Sequence, residues 1–364
     1  MSTATRGRFA WTTIAPLAAM VVLALSWGRH PDAVPAAFIA VFLIGAVLAA
    51  VHHAEVVAHR VGEPFGSLLL AVAVTVIEVA LIVTLMVSGS GDTSTLARDT
   101  VFAAVMITLN GIAGLALLVG ALKHHLAVFN PEGAGSLLTT VVALAGLTLV
   151  LPRFTTSTPG PDFSSSQLAF AAVASLALYG IFVFTQTVKH RDFFLPVDTG
   201  PGPHDDVHAD PPTDRDALAS LGLLVVALVA VVGLSKVESH PIEDLVAKAG
   251  FPHSFVGVVI ALLVLLPESI AAVRAAARND VQISLNLAYG SAMASIGLTI
   301  PAIAIASIWL DGPLALGLEP VQMVLLLISV IVSVLTVVPG RAKSLQGFVH
   351  LVLLAAFVFL SIKP

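Results

Sequence analysis

Hydrophobic positions in this chain gather into eleven long runs, near 10–28, 33–51, 64–88, 98–122, 135–152, 166–188, 216–235, 253–273, 281–309, 317–338 and 343–362, separated by short polar breaks. A helix rises about 1.5 Å per residue and a hydrocarbon core is about 30 Å thick, so about 20 apolar residues make one crossing. In lipid the backbone must satisfy its own polar groups, which runs of this length do as helices. The pattern predicts an all-α polytopic membrane protein with about eleven transmembrane helices. The run at 135–152 is short. The run at 281–309 is long and contains Gly290, Gly297 and Pro301, which predicts a broken or kinked helix beside a site.

The first run, Phe9 to Trp27, follows Arg6 and Arg8 and has the outline of a secretory signal. At 19 residues it exceeds the usual apolar core of such a signal, and Trp11 and Trp27 bracket it as interfacial anchors do. It is read as a retained first helix. Between the sixth and seventh runs lies the one long polar stretch, Asp192 to Asp216, with seven aspartates, five prolines, His204 and His208. It cannot bury a core and reads as a linker. The expected division is therefore an N-terminal helix at 1–30, a five-helix repeat at 31–190, an acidic linker at 191–215 and a second five-helix repeat at 216–364. An odd number of crossings per repeat inverts the second relative to the first.

Two buried-position carboxylates support that duplication. Glu78 and Glu268 each lie 13 residues after a phenylalanine, Phe65 and Phe255, and Ala71/Ala261 and Val74/Val264 coincide in the same register. Thirteen residues of helix is about 20 Å, deep in the hydrocarbon. An ionisable group there is costly and marks ion or proton paths. Its alternative is a structural carboxylate hydrogen-bonded between helices, and the matched pair weighs against that. Two carboxylates offer oxygens to hard cations such as Ca2+ or Na+. Thr75 lies one turn before Glu78, and Pro267 directly before Glu268 weakens the helix ladder and frees carbonyls. The next run of each half holds a small-residue stretch, Thr108 to Gly114 and Tyr289 to Ser295, whose Asn110 and Ser291 are candidate accessory ligands. Close helix packing explains such stretches equally well.

Composition narrows the function classes. Of 364 residues 57% are hydrophobic and 11% charged, well below a soluble domain's share. Net charge is −5 with no basic tract, so no nucleic-acid partner is expected; the partners are the bilayer, cations and protons. There is no cysteine, which removes thiol chemistry and disulfides, and no cofactor is expected. His52, His53, Glu55 and His59 do not form a His-Glu-x-x-His zinc motif. A Ser291–His350 dyad would make an intramembrane hydrolase, a remote alternative. The histidines at 52, 53, 59, 124, 125, 190, 204 and 208 read as solvated loop residues rather than pH sensors. With the N terminus inside, eleven basic residues fall on the inner side and six on the outer, which favours N-in, C-out with a cytoplasmic linker.

At these residues the chain resembles the calcium/cation exchanger superfamily, cation/proton branch, and most resembles its bacterial Ca2+(Na+)/H+ antiporters. The similar stretches are His53-Ala-Glu55 through Phe65-Gly66 on to Glu78, Leu266-Pro-Glu-Ser through Ala277, and Asn286 through Pro301. Phe129-Asn130-Pro131 and Tyr179 through Gln186 are also similar. The resemblance implies eleven helices as one plus two inverted five-helix repeats. It implies two glutamates, matching Glu78 and Glu268, that bind the transported cation alternately with protons. It also implies a bacterial inner-membrane antiporter that exports Ca2+, with Na+ or K+ as alternative cargo. Much of the branch carries Gly-Asn just before each glutamate; Val74-Thr75 and Val264-Leu265 stand here instead, which alters the coordination shell.

Overall fold

The computed structural model describes residues 11–29, 31–62, 65–88, 93–197, 212–309 and 313–364. Its helices are α1 (Trp11–Ser26), α2 (Ala33–Val61), α3 (Phe65–Ser88), α4 (Leu96–Met106), α5 (Ala113–His124), α6 (Pro131–Ala145), α7 (Ser165–Phe184), α8 (Asp214–Lys248), α9 (Phe255–Val264), α10 (Leu266–Ala277), α11 (Val281–Ala306), α12 (Pro320–Val337) and α13 (Ser344–Ile362). A π-helical turn, Ile107–Ile112, joins α4 to α5 in one 29-residue span. Among the described residues nine helices are long and apolar enough to cross a membrane, or ten with α9 and α10 taken as one bent span. The all-α polytopic expectation holds. The described part of α1 is 16 residues, short of a crossing, so the eleventh span is not counted.

The chain divides into two compact units, each drawn from both sequence halves. The first comprises residues 1–93 and 204–253, the second 94–203 and 254–364. In the first unit α8 packs against α1, α2 and α3. Arg60 Nε donates to Asp214 Oδ1 at 2.7 Å at one end, and Lys236 Nζ lies 5.3 Å from the Trp27 ring centroid at the other. Gly62 closes α2 at φ +75°, and a Cβ at Gly66 would stand 2.5 Å from the Ala58 carbonyl oxygen. Only glycine permits so tight a reversal into α3. His53 is 3% exposed and its Nε2 lies 3.0 Å from the Thr12 carbonyl of α1, so it is an interhelical residue and not a solvated loop histidine. Helical period places it on the buried face of α2, which a count of loop positions overlooked. His204, His208 and most of the linker lie outside the described residues.

In the second unit every span runs from one end to the other. At one end β1 (Ala127–Val128) pairs antiparallel with β2 (Arg341–Ala342), and His124 Nε2 lies 3.3 Å from the Ala277 carbonyl. At the other end Ala315 N donates to Ser94 O at 3.1 Å, and Gly317 N to Pro161 O at 2.9 Å. The connections that alternate crossings assign to one side therefore do meet. Buried Arg98 pairs with Asp99 at 2.9 Å and reaches Glu319 at 3.5 Å at this second end. Gly257 near the start of α9 touches Asp99 and Thr100, while α10 ends beside His124, so α9 and α10 make one crossing.

Two local expectations change. The short run at 135–152 extends to Pro131–Arg153, 23 residues, because Asn130 Oδ1 accepts from Glu132 N and Gly133 N and caps α6 with Pro131 in its first turn. The run at 281–309 is not broken: α11 continues from Val281 to Ala306 with Pro301 inside it. A proline near a helix end removes one hydrogen bond, which membrane helices tolerate. The break falls instead before Pro267, between α9 and α10, with a bend of 55°.

Candidate functional site

Thr75 and Glu78 belong to the first unit, and Asn110, Glu268 and Ser291 to the second. Glu78 sits mid-helix on α3, 4% exposed, with Thr75 at 8% one turn earlier. Spacing by three residues puts both on one buried face. The flanking residues are apolar and good helix or packing residues, so α3 runs unbroken from Phe65 to Ser88.

Glu268 has a different setting despite its identical register. Pro267 has no N–H for the Leu263 carbonyl, and α9 ends at Val264. Leu265 turns the chain, Ser269 N and Ser269 Oγ both return to its carbonyl at 2.9 and 2.7 Å, and α10 begins at Leu266. Glu268, half-buried, therefore stands in the first turn of α10. Unbonded amides there favour a negative charge or the anionic partner of a cation. The expected loosening at Pro267 is thus a full break, and Ile77 before Glu78 explains why the first half lacks one.

Asn110 lies in the π-helical turn, fully buried. Its Nδ2 donates to Ser329 Oγ of α12 at 2.8 Å, and its Oδ1 lies 3.1 Å from His350 Nδ1 of α13. His350 Nε2 lies 3.3 Å from Thr336 Oγ1, which itself donates to Val332 O at 2.8 Å. Both ends of the Asn110 amide are engaged by α12 and α13. Gly114 supports this crossing: a Cβ there would stand 2.9 Å from His350 Cβ, and one at Gly347 would stand 2.7 Å from Leu118 N. Small residues in this stretch do serve close packing. Ser291 is half-buried on α11, which packs against α10.

The hydrolase alternative loses its dyad, since the His350 nitrogens face Asn110 and Thr336 rather than Ser291. Among the described residues, His52, His53, Glu55 and His59 do not gather as a metal cluster. Sequence reasoning did not find Ser329 and Thr336, because single hydroxyls on apolar helices carry no spacing signal. It also did not connect Asn130 to Gln282 and Asn286. Asn130 N donates to Gln282 Oε1 at 2.7 Å, Gln282 Nε2 to Asn286 Oδ1 at 2.8 Å, and Asn286 Nδ2 to Phe194 O at 2.7 Å.

Helical spans carrying a buried Glu78 and a half-buried Glu268 at matched registers define a polytopic ion-transporter class. Residues 33–188 and 219–363 match the sodium/calcium exchanger protein family, and the chain belongs to that family. It is 44% identical to y4hA of Sinorhizobium fredii, named as a candidate ionic transporter, over 97% of this chain and 96% of that one. It is 34% identical to the sodium-potassium/proton antiporter ChaA of Escherichia coli, over 95% and 94% of the two chains. Its fold is similar to that of native YfkE, a Ca2+/H+ antiporter, with a TM-score of 0.73, 17% identity and coverage of 97% and 99%.

Proposed function

We propose that this chain is a secondary active cation/proton antiporter that exports Ca2+ against inward protons by alternating access. The observation that carries the reading is Glu78, a carboxylate 4% exposed within a family-matched span. An ionisable group at that depth marks an ion or proton path, and a carboxylate there binds a cation and a proton in turn. The two ligands then compete for one group, which is the basis of coupling. Glu268 plays the same part in the second half, at a helix N-terminus opened by Pro267. Two carboxylates exchange one divalent ion for two protons without leaving charge unpaired. Thr75 tunes affinity at Glu78, and Asn110 and Ser291 tune it in the second unit, which holds Glu268. The halves at 31–190 and 216–364 act as inverted repeats joined by the acidic segment at 191–215. The protein sits in a bacterial inner membrane, N terminus cytoplasmic and C terminus periplasmic.

A second reading, monovalent Na+ or K+ exchange for protons, is favoured by the 34% identity to a sodium-potassium/proton antiporter. Proton flux in proteoliposomes driven by imposed Ca2+, Na+ or K+ gradients separates the two. Ca2+ is expected to drive flux at the lowest concentration. Flux with Na+ or K+ alone would establish the second reading, and no flux with any of the three would remove both.

A further inference from the structure

Glu238 is a second deeply buried carboxylate of the first unit, and the exchange reading makes no use of it. It lies on α8, 3% exposed, and its Oε1 has no hydrogen-bond partner among the described residues. Ser235 and Ser239 are 2% and 1% exposed, and spacing by three and four residues puts them with Glu238 on one buried helix face. Ser235 Oγ donates to Val232 O at 2.8 Å, and Ser239 Oγ donates to Lys236 O at 2.9 Å. Each hydroxyl has given its one proton to the backbone, so its remaining capacity is as an oxygen donor of lone pairs. A buried carboxylate with one such oxygen a turn before it and another on the next residue suits a hard cation. It also repeats the hydroxyl-x-x-carboxylate spacing of Thr75 and Glu78.

Among the described residues this carboxylate has no ion-pair partner. The described residues of α1 contain no titratable group, and α3 contains only Glu78. The titratable side chains of α2 are His52, His53, Glu55, His59 and Arg60, all in its last turns, toward the Arg60–Asp214 end. Glu238 is 24 residues from Asp214, about 36 Å along α8 and toward the end marked by Trp27. There Lys236 is exposed and lies over Trp27, and Glu243 lies 3.5 Å from His253. A buried carboxylate so placed takes either a proton or a cation from solution.

We infer that Ser235, Glu238 and Ser239 form a second cation-binding station in the first unit, one that takes a hard divalent ion such as Ca2+. Measured from the Arg60–Asp214 end, it lies about 15 Å beyond the level of Glu78, toward the bilayer surface. Resting on the antiport reading, its role is to hold a cation on the Trp27 side of Glu78.

Equilibrium binding of radioactive Ca2+ to the purified full-length protein in detergent tests this without requiring transport. Failure of exchange would therefore show in the flux assay and leave this readout intact. In a Glu78→Gln/Glu268→Gln background, saturable Ca2+ binding is expected to remain, and adding Glu238→Gln is expected to abolish it. Ser235→Ala/Ser239→Ala in the same background should weaken it by about tenfold, through loss of two oxygen ligands. Equal binding with and without Glu238→Gln would overturn the site. If Glu238→Gln does not elute as a folded protein, the serine pair decides: unchanged affinity there also overturns it.

Discussion

The carboxamide oxygen of Asn110 lies 3.1 Å from His350 Nδ1, joining a π-helical turn of the first sequence half to the last helix of the second. With Ser329 and Thr336 it completes a polar chain inside an otherwise apolar bundle. Such a chain is costly to leave half-made, because an orphaned buried amide keeps its desolvation penalty.

His350→Ala is accordingly expected to destabilise the protein by about 1–3 kcal/mol through an unpaired Asn110. Asn110→Ala should do the same, and the double variant should cost less than the sum. Thermal unfolding in detergent across this cycle checks it; additive losses would mean that the two residues are not coupled. Asn110→Ala should also raise the half-saturating cation concentration while leaving some exchange. Unchanged affinity would assign Asn110 to packing alone.

Glu78→Gln and Glu268→Gln keep side-chain shape and remove the titratable group, so each is expected to abolish coupled exchange in a folded protein. In the unaltered chain, raising pH should lower the half-saturating cation concentration, since fewer protons compete. Wild-type proton flux from either glutamine variant would falsify the mechanism.

Pro267→Ala restores an N–H to the Leu263 carbonyl and is expected to straighten the 55° bend between α9 and α10. Glu268 would then lose its place in a helix first turn. Exchange should fall while the protein becomes no less stable. Paired spin labels at positions 258 and 274 report the bend, and an unaltered distance between them would show that Pro267 is not its cause.

The chain has no cysteine, so a single cysteine at position 204 is a clean reporter of side. It should label from the cytoplasmic face only. Labelling from the periplasm of intact cells would reverse the orientation assigned from the basic residues.

Helix positions were legible because apolar runs in lipid have few alternatives, and the alternation of sides followed from their order. Glu78 and Glu268 stood out because a charge in an apolar run is rare. Their settings were less legible. Register made them equivalent, while Pro267 separates a helix first turn from an unbroken α3. The continuity of α11 was less legible, because Gly290, Gly297 and Pro301 predict a broken or kinked helix and the structure shows no break there. Glycine breaks a helix only where packing does not hold it, and proline only where the lost bond has no substitute. Ser329 and Thr336 were invisible because their meaning comes from the π-helical turn, α12 and α13 meeting.

The interleaving of the two compact units has a consequence for how the protein is made. The first unit needs α8, which ends at Lys248, to pack against α1, α2 and α3. A ribosome therefore delivers three helices that must wait, already in the bilayer, while α4 to α7 are inserted. Their missing partner arrives only when about two-thirds of the chain exists. Closing that long interval makes the pairing of α2 with α8 a late and non-local step of biogenesis. An excised stretch ending before α8 would hold α1 to α3 with no helix to receive them.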